Sequence, residues 1–106
     1  LILDGNWHHI ATVQNGTSLD VYFDGVKRNS SPLTTTAISA NIGDNFTIGA
    51  YFTRASNFLN SYVDEIGLFN TALTQQQVQN VYNATTTGKT ADLSSLSPVA
   101  WYRMGD

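Results

Sequence analysis

The residues able to do chemistry are few, and most of them stand next to one another. Asp64 and Glu65 are adjacent, and Glu65 is the only glutamate in the chain. Acid–base attack on a glycosidic bond needs two carboxyls roughly 5–10 Å apart across one substrate. Neighbours on an extended chain face opposite sides, so this pair cannot flank a single bond. His8 and His9 diverge for the same reason, and no Cys or further His stands at metal-ligand spacing from them. A Ser-His-Asp set can be composed from any chain this rich in Ser, and no nucleophile elbow is present. The chain therefore reads as non-catalytic. Recognition is better served by Tyr51, Phe52 and Phe58, with Arg54 between them, in or near residues 53–60. Flat rings offer a low-entropy apolar face to a sugar or protein, so these four form a candidate ligand-binding rim. The competing reading places the same rings in the core or against a neighbouring repeat.

These side chains must be carried by strands. Trp7, His9, Ala11 and Val13 alternate with His8, Ile10, Thr12 and Gln14, a two-residue period that predicts a strand over 7–14. Asn15-Gly16 follows as a type I′ hairpin signal. Leu19, Val21 and Phe23 then alternate with Asp20, Tyr22 and Asp24 in a returning strand that ends at Asp24-Gly25. Residues 27–45, rich in Ser, Thr and Asn and broken by Pro32 and Gly43, read as loop with at most a short strand near 36–38. A third strand is expected over 46–52, and a fourth over 62–69 with large side chains on both faces, as for a strand covered on two sides. Leu73, Thr74, Gln77 and Val78 occupy N′, N-cap, N3 and N4 of a helix, giving a capping box and a hydrophobic staple. Val78, Val81 and Tyr82 share its inner face. Residues 85–97 resemble a linker, and a new strand opens after Pro98.

The chain has 106 residues and a formal charge of −3, with five scattered Lys/Arg against eight Asp/Glu. No phosphate-binding footprint follows from that distribution, so nucleic acid is not an expected partner. Charged residues make up only 12%, while Ser, Thr and Asn fill nearly a third of the chain, so the polar surface is neutral rather than ionic. Four Asn-x-Ser/Thr sequons, at Asn15, Asn29, Asn45 and Asn83, are explained by that composition and by solvated turns. No apolar run is long enough for a membrane span. The absence of Cys leaves the redox compartment open. An opening on Leu1-Ile2-Leu3 rather than Met points to a piece cut from a longer protein.

Two stretches carry a family resemblance. Asp4-Gly5-Asn6-Trp7-His8-His9-Ile10-Ala11 with Val21-Tyr22-Phe23-Asp24-Gly25 resembles the paired central strands of laminin G-like domains, which belong to the concanavalin A-like jelly rolls. The run from Tyr62 to Thr74, with Val78 and Tyr82, resembles that family's closing strand and short helix. The tail from Ser97 to Asp106 resembles the opening strand of another such domain. The resemblance implies an all-β, partial antiparallel jelly-roll sandwich with one short C-terminal helix: residues 1–84 the C-terminal part of a sandwich, 85–97 a linker, 98–106 the first strand of a following repeat. With the early strands absent, one apolar edge is expected to be open and covered by neighbouring chain. It also implies packing roles for the histidines, His9 on the face of Trp7 and His8 hydrogen-bonding across strands. Related sandwiches include glycoside hydrolases, but no Glu-x-Asp-x-x-Glu spacing occurs here. Related domains also hold calcium at the sandwich rim, and Asp44 and Asp64 are the candidate ligands, although no dense Asp/Asn/Gly loop specifies a site. The functional expectation is a non-catalytic extracellular binding or adhesion module of a tandem-repeat surface or virion protein. Its partners would be a glycan or surface protein and neighbouring copies of the same repeat. The alternative is a self-assembling fibre or sheath repeat with no separate ligand.

Overall fold

The computed structural model describes residues 4–34, 47–50, 57–85 and 92–104. Two strands, β1 (Ile10–Asn15) and β2 (Ser18–Phe23), form the expected antiparallel hairpin. Its turn sits one residue later than the Asn-Gly signal indicates. Asn15 pairs with Ser18, leaving Gly16 and Thr17 as the central residues, and Gly16 has φ +61°. Glycine at the first central position is the type II′ arrangement rather than I′. The strand also starts later than Trp7, because residues 7–9 are held by Asp24 instead of a full ladder: Asp24 N–H donates to His9 O at 2.9 Å, and His9 N–H donates to Asp24 Oδ1 at 2.9 Å. Trp7 is consequently 69% exposed and shares no core face with Ala11 and Val13.

At the second turn Asp24 and Gly25 have φ of +50° and +74°, the double left-handed pair of a type I′ turn. That turn launches β3 (Val26–Pro32), where the sequence pattern indicated loop. β3 lies at the sheet edge, exposed at nearly every position, so it has no alternation to reveal it; the hairpin turn alone sets its course. Its ladder jumps from Val21↔Asn29 to Tyr22↔Lys27, leaving Arg28 as the extra residue of a bulge. The sheet order is β1-β2-β3.

Helix α1 (Gln75–Thr85) packs on one face of this sheet. The expected capping box is present: Thr74 N–H donates to Gln77 Oε1 at 2.8 Å, and Gln77 N–H donates to Thr74 Oγ1 at 3.2 Å. Val78, 1% exposed, meets Val13 and Tyr22, with Ala11 and Leu73 closing the cluster. The ladder pairs Ala11 with Tyr22 and Val13 with Asp20, so these four share the helix-facing side. Asp20 is buried there against Lys27 Nζ at 2.7 Å, and the Lys27 ammonium lies 5.7 Å from the Tyr22 ring centroid. That pairing holds the Asp20 carboxyl below its ordinary pKa and the Lys27 ammonium above its own. The opposite face carries Ile10, Leu19, Val21 and Phe23, none of them buried.

The second sheet is smaller. Strand β4 (Ile66–Leu68) is shorter than the expected strand over 62–69, because Glu65 turns left-handed at φ +51° and ends the ladder. β4 pairs antiparallel with β5 (Ala100–Tyr102), the strand expected to open a following repeat. Residues expected within the linker are also packed: Leu93 is buried, and Ser94–Leu96 form a single 3₁₀ turn. Together these are the antiparallel sheets and short helix of a partial β-sandwich. The strand expected near 36–38, and residues 46, 51 and 52 of that expected over 46–52, lie outside the described residues. Thr47–Ala50 forms a bend rather than a strand, closed by Thr47 Oγ1–H donating to Ala50 O at 2.9 Å.

Candidate binding surface

Of the four rim residues read from the sequence, Tyr51, Phe52 and Arg54 lie outside the described residues, and Phe58 is 68% exposed. Two further large side chains on the same short loop are exposed with it, Leu59 at 56% and Tyr62 at 87%. The loop is anchored to the 47–50 bend by Leu59 N–H donating to Gly49 O at 2.8 Å, and Asn57 enters it at φ +54°. Such a segment offers apolar surface with few polar obligations, which suits contact with a sugar face or an apolar protein patch. Tyr62 was assigned by sequence to a strand covered on two sides and so missed as a surface residue. Its signal was local: Phe58, Leu59 and Tyr62 are interleaved with Asn57, Asn60 and Ser61, a polar setting untypical of a buried strand.

Of the metal candidates, Asp44 lies outside the described residues. Asp64 is exposed, and its Oδ1 accepts the Glu65 N–H at 2.9 Å, fixing the left-handed turn. Among the described residues, no group of three or more His, Asp or Glu is placed to hold a metal ion. Asp64 and Glu65 do not converge. Glu65 reaches across to the tail, where Oε2 accepts the Trp101 Nε1–H at 2.6 Å. Its Oε1 is buried without a hydrogen bond and faces Arg103 Nε at 3.8 Å, while the Arg103 guanidinium lies 5.0 Å from the Trp101 ring centroid. This carboxylate ties two strands together. Sequence reasoning missed the contact because residues 65 and 101 are distant in the chain.

The histidines diverge as expected, with consequences the spacing did not show. His8 Nδ1 lies 2.8 Å from Asp24 Oδ2, and its Nε2 lies 2.9 and 3.0 Å from the two Asp4 oxygens. Ionised carboxylates only accept, so engaging both at once requires a proton on each ring nitrogen, and the arrangement favours the imidazolium form of His8. Asp24 first, then Asp4, raises its pKa. The Asn6 N–H, followed by His8, holds Asp4 down at about 2. Burial pushes Asp24 up, but the His9 N–H and His8 outweigh it and leave its pKa lowered. The His8 ring stacks on Phe23 with centroids 4.8 Å apart. His9 instead turns toward Tyr82, 6.3 Å between centroids; burial lowers its pKa, and Nδ1 is buried without a hydrogen bond. The cluster joins the 4–9 segment to the β2–β3 turn.

Comparison with known proteins agrees with this geometry. A laminin G family model, described as the concanavalin A-like lectin/glucanases superfamily, matches residues 1–79. No curated protein matches the chain. Among solved structures, the fold is similar to the crystal structure of an S-layer domain-containing protein (residues 221–444) from Clostridium thermocellum, with a TM-score of 0.63 and 17% identity. That likeness covers 77% of this chain and 42% of the other, so the chain spans less than half of the protein it resembles. With the family match running from the segment before the first hairpin into the helix that closes on it, the chain belongs to the laminin G-like family of the concanavalin A-like lectin/glucanases superfamily.

Proposed function

We propose that the chain is a non-catalytic binding module of an extracellular surface protein, touching a glycan or a protein through the 57–62 loop. The observation that carries this reading is the joint exposure of Phe58, Leu59 and Tyr62 on one anchored loop of a laminin G-like frame. The surface setting draws on the S-layer protein with a similar fold. The non-catalytic reading draws on Glu65, the chain's only glutamate, which is engaged by the Trp101 indole N–H. Phe58→Ala with Tyr62→Ala should lower capture on a glycan or surface-protein array about tenfold, the loss of about 1.4 kcal/mol of binding, with the melting temperature unchanged. Unfolding of the double variant would place these rings in the core and sink the proposal.

A calcium ion bound by Asp44 and Asp64 belongs to the same proposal. Isothermal titration should then give heat with calcium and a raised melting temperature, and silence in both removes the ion. The second reading is a structural repeat whose partner is its own neighbour, favoured by the docking of β5 on β4. Size exclusion combined with the array separates the two: capture by a monomer supports recognition, and polymerisation without capture supports scaffold.

A further inference from the structure

We propose that residues 4–7 are a proton-operated latch: His8 pins them to the β2–β3 turn while both of its ring nitrogens carry protons, and frees them when it loses one. The inference goes beyond the binding reading and is independent of the 57–62 loop. What the latch holds still is Trp7, an indole 69% exposed between residues 4–6 and the His8 ring.

The His8 ring bridges two parts of the chain. Nδ1 lies 2.8 Å from Asp24 Oδ2 in the turn, and Nε2 lies 2.9 and 3.0 Å from the two oxygens of Asp4. Phe23 of β2 stacks on the ring, 4.8 Å between centroids with 28° between planes, and holds it between the two carboxylates. Those carboxylates are the charged groups that act on the ring; Phe23 carries no charge, and His9 turns away toward Tyr82 of α1. Within the segment, Asn6 N–H donates to Asp4 Oδ1 at 2.9 Å. With Gly5 at φ +78°, that bond curls residues 4–6 on themselves and brings the Asp4 carboxylate round to the ring. Among the described residues, the Asp4–His8 contact is the hydrogen bond that ties residues 4–6 to the sheet.

Loss of one proton reverses the sign of that contact. Asp24 acts on His8 more strongly than Asp4 does, so the remaining proton stays on Nδ1. Nε2 then turns a lone pair to a carboxylate that is ionised, since Asp4 is held down at about 2. Two acceptors 2.9 Å apart repel, and the Asp4 side chain, 51% exposed, has water to turn to. The hairpin does not follow it. Asp24 keeps the His9 N–H on Oδ1 and its own N–H on His9 O, both at 2.9 Å and neither made by the His8 ring. Release is confined to the residues before His8. Because both carboxylates raise the His8 pKa, the latch is closed below 6.5 and opens as pH rises through the raised value.

Nuclear magnetic resonance on the full chain tests this residue by residue. Backbone order parameters of Gly5, Asn6 and Trp7 should stand near about 0.85 below pH 6.5 and fall under about 0.6 above the His8 midpoint, which the ring nitrogen shifts report directly. Those of β1 and β2 should stay near about 0.85 throughout. Asp4→Ala leaves the Asp24 contact in place; it should keep the three values low at every pH and bring the His8 midpoint down toward 6.5. His9→Gln should leave the transition where it is. Order parameters that do not change with pH in the native chain overturn the latch, as does a change that survives Asp4→Ala. A transition that disappears in His9→Gln assigns the effect to the other ring and also overturns it. A fall shared by β1 and β2 does the same, since it would be a loosening of the whole hairpin.

Discussion

His8 lies between two carboxylates, whereas His9, one residue on, turns a ring nitrogen into a site with no acceptor or donor for it. Their proton affinities therefore move apart from the shared ordinary value of 6.5. The stability His8 contributes is fully present below pH 6.5 and is lost as pH rises through its raised pKa. His9 is held neutral when folded and protonates near 6.5 when unfolded, so its effect is a loss of stability as pH falls below 6.5. Asp4 and Asp24 extend the acid limb, since their contribution is present above 3.8 and is lost further down, for Asp4 toward pH 2. Denaturant midpoints measured from pH 4 to 9 should trace a dome with its maximum near 6.5. His8→Gln should flatten the alkaline limb and His9→Gln the limb that begins as pH falls below 6.5. A profile unchanged by either substitution would mean that neither ring holds its described partners. The adjacency of the two histidines was visible in the sequence. Their opposed titration was not, because it depends on Asp24, brought close by a turn whose strand pairing the residue types do not state.

Helix α1 owes its start to two reciprocal bonds between Thr74 and Gln77. Thr74→Ala removes the N-cap acceptor and should cost about 1 kcal/mol, read as a lower denaturant midpoint with the slope unchanged. The helix was legible from Leu73, Thr74, Gln77 and Val78 because capping is a local code. The first hairpin was legible for the same reason, apart from the one-residue displacement that strand pairing imposes on the Asn15-Gly16 turn. Edge strands are another matter. β3 contains Lys27, Arg28, Asn29, Ser30 and Ser31, a loop composition that becomes a strand because a type I′ turn at Asp24-Gly25 directs it along β2. The expected fourth strand failed in the other direction: Glu65 takes a left-handed conformation that a glutamate seldom adopts, and nothing in Val63-Asp64-Glu65-Ile66 announces it.

The core cluster joins β1, β2 and α1 through Val13, Tyr22 and Val78, and among its described members none comes from β4 or β5. The smaller sheet has its own closure, Leu93 over Gly67 and Trp101 on Glu65. Unfolding should accordingly show two steps. Trp7 is exposed in the folded chain, so the change in tryptophan emission belongs mainly to Trp101 and should occur at lower denaturant than the loss of helical dichroism. Val78→Ala, which removes about 2 kcal/mol of packing, should move the dichroism transition and leave the emission transition in place. Coincident transitions for both probes would show one cooperative unit instead. Sandwich class and family were readable from the chain because they rest on recurring local runs. The docking of β5 on β4 was not, since it is decided by one glycine and one glutamate far away in sequence. Among the described residues β3 borders its sheet, meeting solvent with Lys27 and Arg28 and finishing at Pro32, which has no N–H to lend. A strand approaching that border would meet charge first, a bulge at Arg28 next and a missing donor last, so the larger sheet is defended against lengthening by the same residues that hid β3 from the sequence pattern.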